Sequence, residues 1–338
     1  MSKTPMLPGN ALRSDEIPDG YLSLDERVLT YIPRNGAPQQ ISLVDCVGAS
    51  AESCTLVVSF MPVAGGGGWG CSKLRREFVV NRFLCHNPTQ ASGWAEALWR
   101  VMHGMAPDGA APPRKRWLIL INPVSGPGNA VRIFGQVRPV LAANRVALTE
   151  LVTAHAGHAT EIAAGIELAD VDGIVCVGGD GLLYELVNGL MARPDAGAAV
   201  AQLRLGVLPG GSANSLCTSL VKAAGEPIGP MSSAYLLCRG SPQPLDLLSV
   251  AQTERPVSYG FLSCLRGAQS AHYLREGEGA VDVCGQSKVT VKNIFSGEEF
   301  SVREATQAER PQTQIYSTHM HDAVNSLRND MPVLPPFS

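Results

Sequence analysis

Residues 173–181 read Gly-Ile-Val-Cys-Val-Gly-Gly-Asp-Gly, and this stretch decides the fold. Gly173 to Val177 is an unbroken apolar run, the pattern of a strand buried on both faces. It passes directly into Gly178-Gly179-Asp180-Gly181, after which apolar side chains recur at helical spacing from about Leu182 to Met191. Strand, glycine turn and helix in that order make one unit of a parallel sheet with crossover helices.

The same rhythm extends both ways. Trp117 to Ile121 (WLILI) is a second buried strand, followed by Ala130, Phe134, Val137 and Leu141 at helical spacing. Pro139, which has no N–H to donate, is expected to limit or kink that helix. Val146 to Val152 reads as a strand and His158 to Ala169 as a helix. Arg204 to Leu208 and Ala213 to Val221 repeat the pair downstream. The fold class is therefore α/β, a doubly wound parallel sheet with helices on both faces. Ligands of such sheets sit at the carboxyl ends of the strands.

Upstream the runs are short and β-like: Leu22 to Leu24, Val28 to Ile32, Ile41 to Val44, Thr55 to Phe60 and Arg76 to Leu84. Asn35-Gly36 and the Gly65–Gly68 run supply turns. A helix follows around Ser92 to His103, with Trp94, Leu98, Trp99 and Met102 on one face and Ser92 as its N-cap. Strands closed by one amphipathic helix resemble a pleckstrin-homology-like domain, either a docking module or a packing module with no ligand. The expected organisation is a disordered tail (1–20), this β-rich domain (21–105), a linker (106–115), a nucleotide-binding lobe (116–250) and a final segment (251–338).

The chain has 338 residues, 45% hydrophobic and 17% charged, enough apolar content for two packed domains. A formal net charge of -3 argues against a nucleic-acid partner held by phosphate contacts. Nine cysteines without a CxxC pair read as free thiols in a reducing compartment rather than a zinc site or disulfide framework. With no leader pattern and no apolar run of about 18 residues, the expectation is a soluble cytoplasmic chain that is able to touch a membrane peripherally.

Three loops then carry the chemistry. Asn122-Pro123-Val124-Ser125-Gly126-Pro127-Gly128-Asn129 joins the first strand to its helix, and Gly126 and Gly128 let backbone amides approach an anion. It is neither a Walker A loop nor a GxGxxG fingerprint. Gly178-Gly179-Asp180-Gly181 sets a carboxylate among three glycines, as if a phosphate passes close to the backbone. Asp180 there is placed to take a proton from an attacking hydroxyl or to hold Mg²⁺. Pro209-Gly210-Gly211-Ser212-Ala213-Asn214 is the third, with Ser212 able to cap a helix or meet a phosphate.

The segments LILINPVSGPGNA, DGIVCVGGDGLLYELVNGLMARPD, LGVLPGGSANSL and PLDLLSV resemble the diacylglycerol-kinase catalytic superfamily, and its sphingosine kinase branch in particular. The resemblance covers roughly residues 117–263. It implies an ATP-dependent lipid kinase acting on the primary hydroxyl of a sphingoid base, with Mg²⁺. It also implies ATP contacts from Asn122, Pro123 and Val124, and from Thr153 to Gly157. Gly178, Gly179, Gly181 and Glu185 would line the nucleotide and its metal, and Gly211, Ser212 and Ala213 would complete the cradle. Asp180 matches the family's base, so Asp180→Asn should abolish most activity with the fold intact. Two details depart from the pattern: Ala213 replaces a usual glycine, and the first loop lacks the basic residues many relatives carry.

After Ser258 to Ser263 the resemblance stops at Cys264-Leu265-Arg266-Gly267-Ala268-Gln269, where relatives continue into a lipid-enclosing β region. The expectation is an incomplete or divergent C-terminal β region, with weak alternation only around Lys288 to Phe300. That leaves two rival readings, a catalytically impaired nucleotide-binding or interaction protein and a kinase for ceramide or diacylglycerol. His319 and His321 read as a solvated tail, and His155 and His158 as residues shaping a helix start.

Overall fold

The computed structural model describes residues 11–65, 74–106, 114–126, 128–212, 214–245, 247–252, 255–261, 289–293 and 299–302. In the N-terminal unit, β1 (Arg13–Ile17), β2 (Gly20–Leu24), β3 (Val28–Pro33) and β4 (Gln39–Ser42) form one antiparallel sheet. A second holds β5 (Cys46–Glu52), β6 (Thr55–Phe60) and, beyond the small hairpin β7 (Val63–Ala64) and β8 (Arg75–Arg76), β9 (Val79–Leu84). Helix α1 (Pro88–Met102) closes the unit, burying Trp94, Leu98, Trp99 and Met102 as its spacing predicts. Two expectations are corrected. Arg13 to Ile17 lies in the segment expected to be a disordered tail, yet it pairs residue by residue with β2. The cap of α1 is Asn87, whose side chain accepts from the Gln90 amide at 2.8 Å, because Pro88 at the first helical position starts the helix before Ser92.

The second unit is the parallel sheet. In chain order come β10 (Arg116–Ile121), α2 (Ala130–Ala143), β11 (Ala147–Val152), α3 (His158–Gly165), β12 (Gly173–Gly178), α4 (Asp180–Met191), α5 (Ala196–Gln202), β13 (Arg204–Pro209), α6 (Ser215–Ala223) and α7 (Pro230–Arg239). The strands lie in the order β11-β10-β12-β13, all parallel. Ile119, Ile121, Val175 and Val177 pack on α2 and α7, whereas Leu118, Leu120, Ile174 and Cys176 pack on α3 and α4. Both faces are covered at the two central strands, which is why Trp117 to Ile121 of β10 and Gly173 to Gly178 of β12 are apolar and buried throughout, whereas the edge strand β11 carries the polar Thr149 and Glu150. Pro139 does not stop α2, which runs on to Ala143. Pro139 and Gly135, one turn earlier, both face solvent, so the carbonyl that proline leaves unpaired lies on the exposed side of the helix, while Val137, Val140 and Leu141 hold the helix on the sheet.

The two units share a core. Val47 and Met61 of the N-terminal unit sit in the apolar cluster formed by α2, α7 and the sheet. Gly48 allows this approach: a Cβ there would lie 2.0 Å from the Ala143 carbonyl oxygen. Asn144 donates to the Val47 carbonyl at 2.8 Å, and Tyr235 donates its hydroxyl to the Val44 carbonyl at 2.9 Å.

A third sheet, in the order β15-β14-β16-β17, comprises β14 (Leu247–Gln252), β15 (Arg255–Phe261), β16 (Val289–Asn293) and β17 (Glu299–Val302). The alternation expected around Lys288 to Phe300 therefore forms paired strands. Asn188 of α4 ties this sheet to the parallel-sheet unit like a strand partner: its Nδ2 donates to the Tyr259 carbonyl and its Oδ1 accepts from the Tyr259 amide, both at 2.8 Å. We expect Asn188→Ala to speed exchange of the Tyr259 amide about tenfold, since losing such a pair costs roughly 1–2 kcal/mol. Unchanged protection at Tyr259 would show that the sheet is held by packing alone. Among the described residues, no helix is long and apolar enough to cross a membrane.

Candidate active site

Strand β10 leads to one side of the sheet and β12 to the other, so the loops following them diverge at the point where such folds open a crevice. The three glycine loops meet there. The Asn122 amide donates to the Val177 carbonyl at 3.0 Å, and the Gly179 amide donates to Ser125 Oγ at 2.8 Å, joining the first loop to the second. Gly210 donates to the Gly178 carbonyl at 2.9 Å, joining the third to the second.

The glycines have a specific reason to be glycines. A Cβ on Gly211 would stand 2.4 Å from the Gly179 Cα, and one on Gly210 would stand 3.0 Å from the Gly178 Cα. Gly126, at φ +55, packs toward the Gly210 carbonyl. Contact between backbones of neighbouring loops accounts for Gly210 and Gly211 without an approaching phosphate, whereas a Cβ on Gly178 would meet the side chains of Leu182 and Ser125 and one on Gly179 would find ordinary contact distances. Gly181 is different, with open space around its Cα, and Gly128 and Gly157 adopt left-handed φ values of +75 and +82.

Asp180 opens α4 and is buried, 5% exposed. Its two carboxylate oxygens accept from the amides of Ser215 at 2.7 Å and Leu216 at 3.1 Å. The carboxylate thus caps α6 from a different loop, where helix geometry leaves amides unpaired and favours negative charge. Ser212, expected as a cap or phosphate donor, is exposed, and the N-cap position belongs to Asn214. Asn214 sits in the left-handed region, and its Oδ1 accepts from the Gly211 amide at 2.8 Å. Ala213 lies outside the described residues.

The remaining residues line the same edge. Asn122 Oδ1 accepts from the Val124 amide at 3.1 Å, so Asn122 and Pro123 form a side-chain-closed turn that leaves Val124 79% exposed. Thr153 continues the β11 pairing by donating to the Ile121 carbonyl at 2.9 Å. Gly157 is the N-cap of α3, and Glu185 Oε2 accepts from the Ala159 amide at 3.3 Å in the first turn of that helix. Helices α2 and α4 have no side-chain cap.

His155, His158 and Glu161 bring their ligand atoms within 4.8 Å of one another. His158 Nδ1, however, accepts from the Ala154 amide at 3.1 Å, so the neutral ring keeps its proton on Nε2 and that nitrogen is no ligand. The pair shapes the start of α3, as the sequence suggests. Burial pushes the Cys217 thiol up to about 11 and raises Cys176 further, which removes thiolate chemistry from the rim. Sequence reasoning missed Ser125 and Asn214 as the ties between loops. The signal for Asn214 was an asparagine directly before a helix, a residue type that tolerates the left-handed region.

Residues 116–250 match the diacylglycerol kinase catalytic domain. The chain is 37% identical over 194 residues to Sphingosine kinase 2 of Homo sapiens, covering 54% of this chain and 30% of that protein. It is 37% identical over 184 residues to human Sphingosine kinase 1, covering 51% and 48%. A solved structure of a diacylglycerol kinase from Bacillus anthracis str. Sterne overlaps 42% of this chain and 45% of that one, with 28% identity and a TM-score of 0.33. The chain spans about a third to a half of the length of the two human proteins. Residues 116–250 therefore match the diacylglycerol kinase catalytic domain, and about half of the chain is similar to sphingosine kinases.

Proposed function

We propose that this protein is an ATP-dependent lipid kinase that phosphorylates the primary hydroxyl of a sphingoid base. The observation that carries the reading is the meeting of three glycine loops at one sheet edge, with Asp180 between the second loop and α6. In the reaction the lipid oxygen bonds to the γ-phosphorus as the bond to the bridging β–γ oxygen breaks, and the hydroxyl proton passes to Asp180. The uncapped N-termini of α2 and α4 favour phosphate charge.

The donor set fits Mg²⁺, which takes one or two carboxylates together with phosphate oxygens. Asp180 would hold it, with Glu185 nearby on α4, and the ion would offset negative charge on the phosphoryl group. The sphingoid-base preference rests on the similarity to sphingosine kinases. Membrane contact follows from the lipid nature of the substrate.

The test is transfer of labelled phosphate from ATP to sphingosine, ceramide and diacylglycerol by the purified chain. Product with sphingosine is expected. Product only with ceramide or diacylglycerol would reassign the substrate, and ATP binding without any product would make the chain a nucleotide-binding protein.

A further inference from the structure

We propose that Arg132, steered by Asn129, is the cation that meets the phosphate chain of the nucleotide. The proposal rests on the nucleotide reading above and names a contact within that same site. A triphosphate brings several negative charges, and residues 122–129, 153–157, 178–181 and 209–214 contain no lysine or arginine. The carboxylates that the site does supply, Asp180 and Glu185, have the wrong sign. Beyond what a metal ion offsets, a side chain with a permanent positive charge can come only from an adjoining element.

Arg132 is the third residue of α2, directly behind the first loop. Side chains in a helix lean toward its N-terminus, so this guanidinium reaches back over the loop. Its Nε and Nη2 both lie 3.3 Å from Asn129 Oδ1. Asn129, at the N-cap position, gives its side chain to the arginine and does not cap the helix. Arg116, Arg138 and Arg193 are paired with carboxylates, those of Asp172, Glu150 and Asp195, and Arg239 is held by the Met102 and Leu43 carbonyls, while Arg204 stands at the start of β13, at the opposite end of the strand from the loops. Arg132 is exposed and holds only a neutral amide oxygen among the described residues, through long bonds that a phosphate oxygen would readily replace. His155 is the nearest rival, but its Nε2 is turned to Glu161 at 3.7 Å.

Binding of ATP and of adenosine to Arg132→Gln, Arg132→Lys and the control Arg138→Gln tests this. Arg132→Gln should weaken ATP binding about tenfold, a magnitude suited to one exposed charge-assisted contact, and should leave adenosine binding unchanged. Arg132→Lys should recover part of the loss, and Arg138→Gln should bind as the parent does. Equal ATP affinity in the parent and in Arg132→Gln would overturn the proposal while leaving the nucleotide site standing, and a loss in His155→Gln instead would move the cation there. Absence of ATP binding in the parent would overturn both.

Discussion

Asp180→Asn should lower phosphate transfer by about a thousandfold, within the range general-base catalysis supplies. The amide cannot take up the proton that the attacking hydroxyl releases. The fold is not left untouched, because the carboxylate also caps α6 through the amides of Ser215 and Leu216. An asparagine turns one NH₂ group toward one of those amides, donor against donor, which costs roughly 1–3 kcal/mol. Sequence alone suggested a silent substitution with respect to stability, and the geometry corrects that. Single-turnover transfer measured well below the unfolding transition separates the two effects. Near-normal turnover there would remove Asp180 from the chemistry and leave it a helix cap.

Arg76→Ala should destabilise the folded protein by about 3–5 kcal/mol, as expected when one partner of a buried ion pair is removed. Its side chain is 6% exposed. Nε and Nη2 donate to both carboxylate oxygens of Glu226 at 2.6 and 2.7 Å, and Nη1 donates to Asp45 at 2.8 Å and to the Met61 carbonyl. The guanidinium also lies 3.5 Å over the Tyr235 ring. Burial works against its charge, but the hydrogen bonds it donates to Glu226 and Asp45 outweigh it and hold its pKa above the usual guanidinium value. Removing the arginine strands Glu226, whose side chain is only 11% exposed. Replacing Glu226 by leucine as well should recover much of the loss. Denaturant midpoints of the two variants decide the matter, and an unchanged midpoint for Arg76→Ala would show the contact to be idle.

The two predictions meet at α6. Glu226 lies just past the end of that helix and Asp180 caps its start, so the helix is fixed at one end by the N-terminal unit and at the other by the second glycine loop. Exchange of the Ser215 and Leu216 amides should therefore quicken in Arg76→Ala, reporting at the site a change made in the other unit.

The sequence alone determined the alternation of strands and helices from Trp117 to Val221, the edge on which the loops lie, and the buried face of α1. Those features follow from period and composition, which act over a few residues and are visible in a linear string. Element ends were less legible: Asn87 displaced Ser92 because a proline set the first helical position, and Pro139 passed unnoticed by a helix whose other face was buried. Only the tertiary structure decided what the glycines at 210 and 211 are for, and what Asp180 touches. Its amide partners lie 35 and 36 positions away, and Arg76 meets Glu226 across 150. Contacts of that range depend on how whole elements stack, because a short-range pattern fixes which face of a strand or helix is buried but not which distant side chain is buried against it.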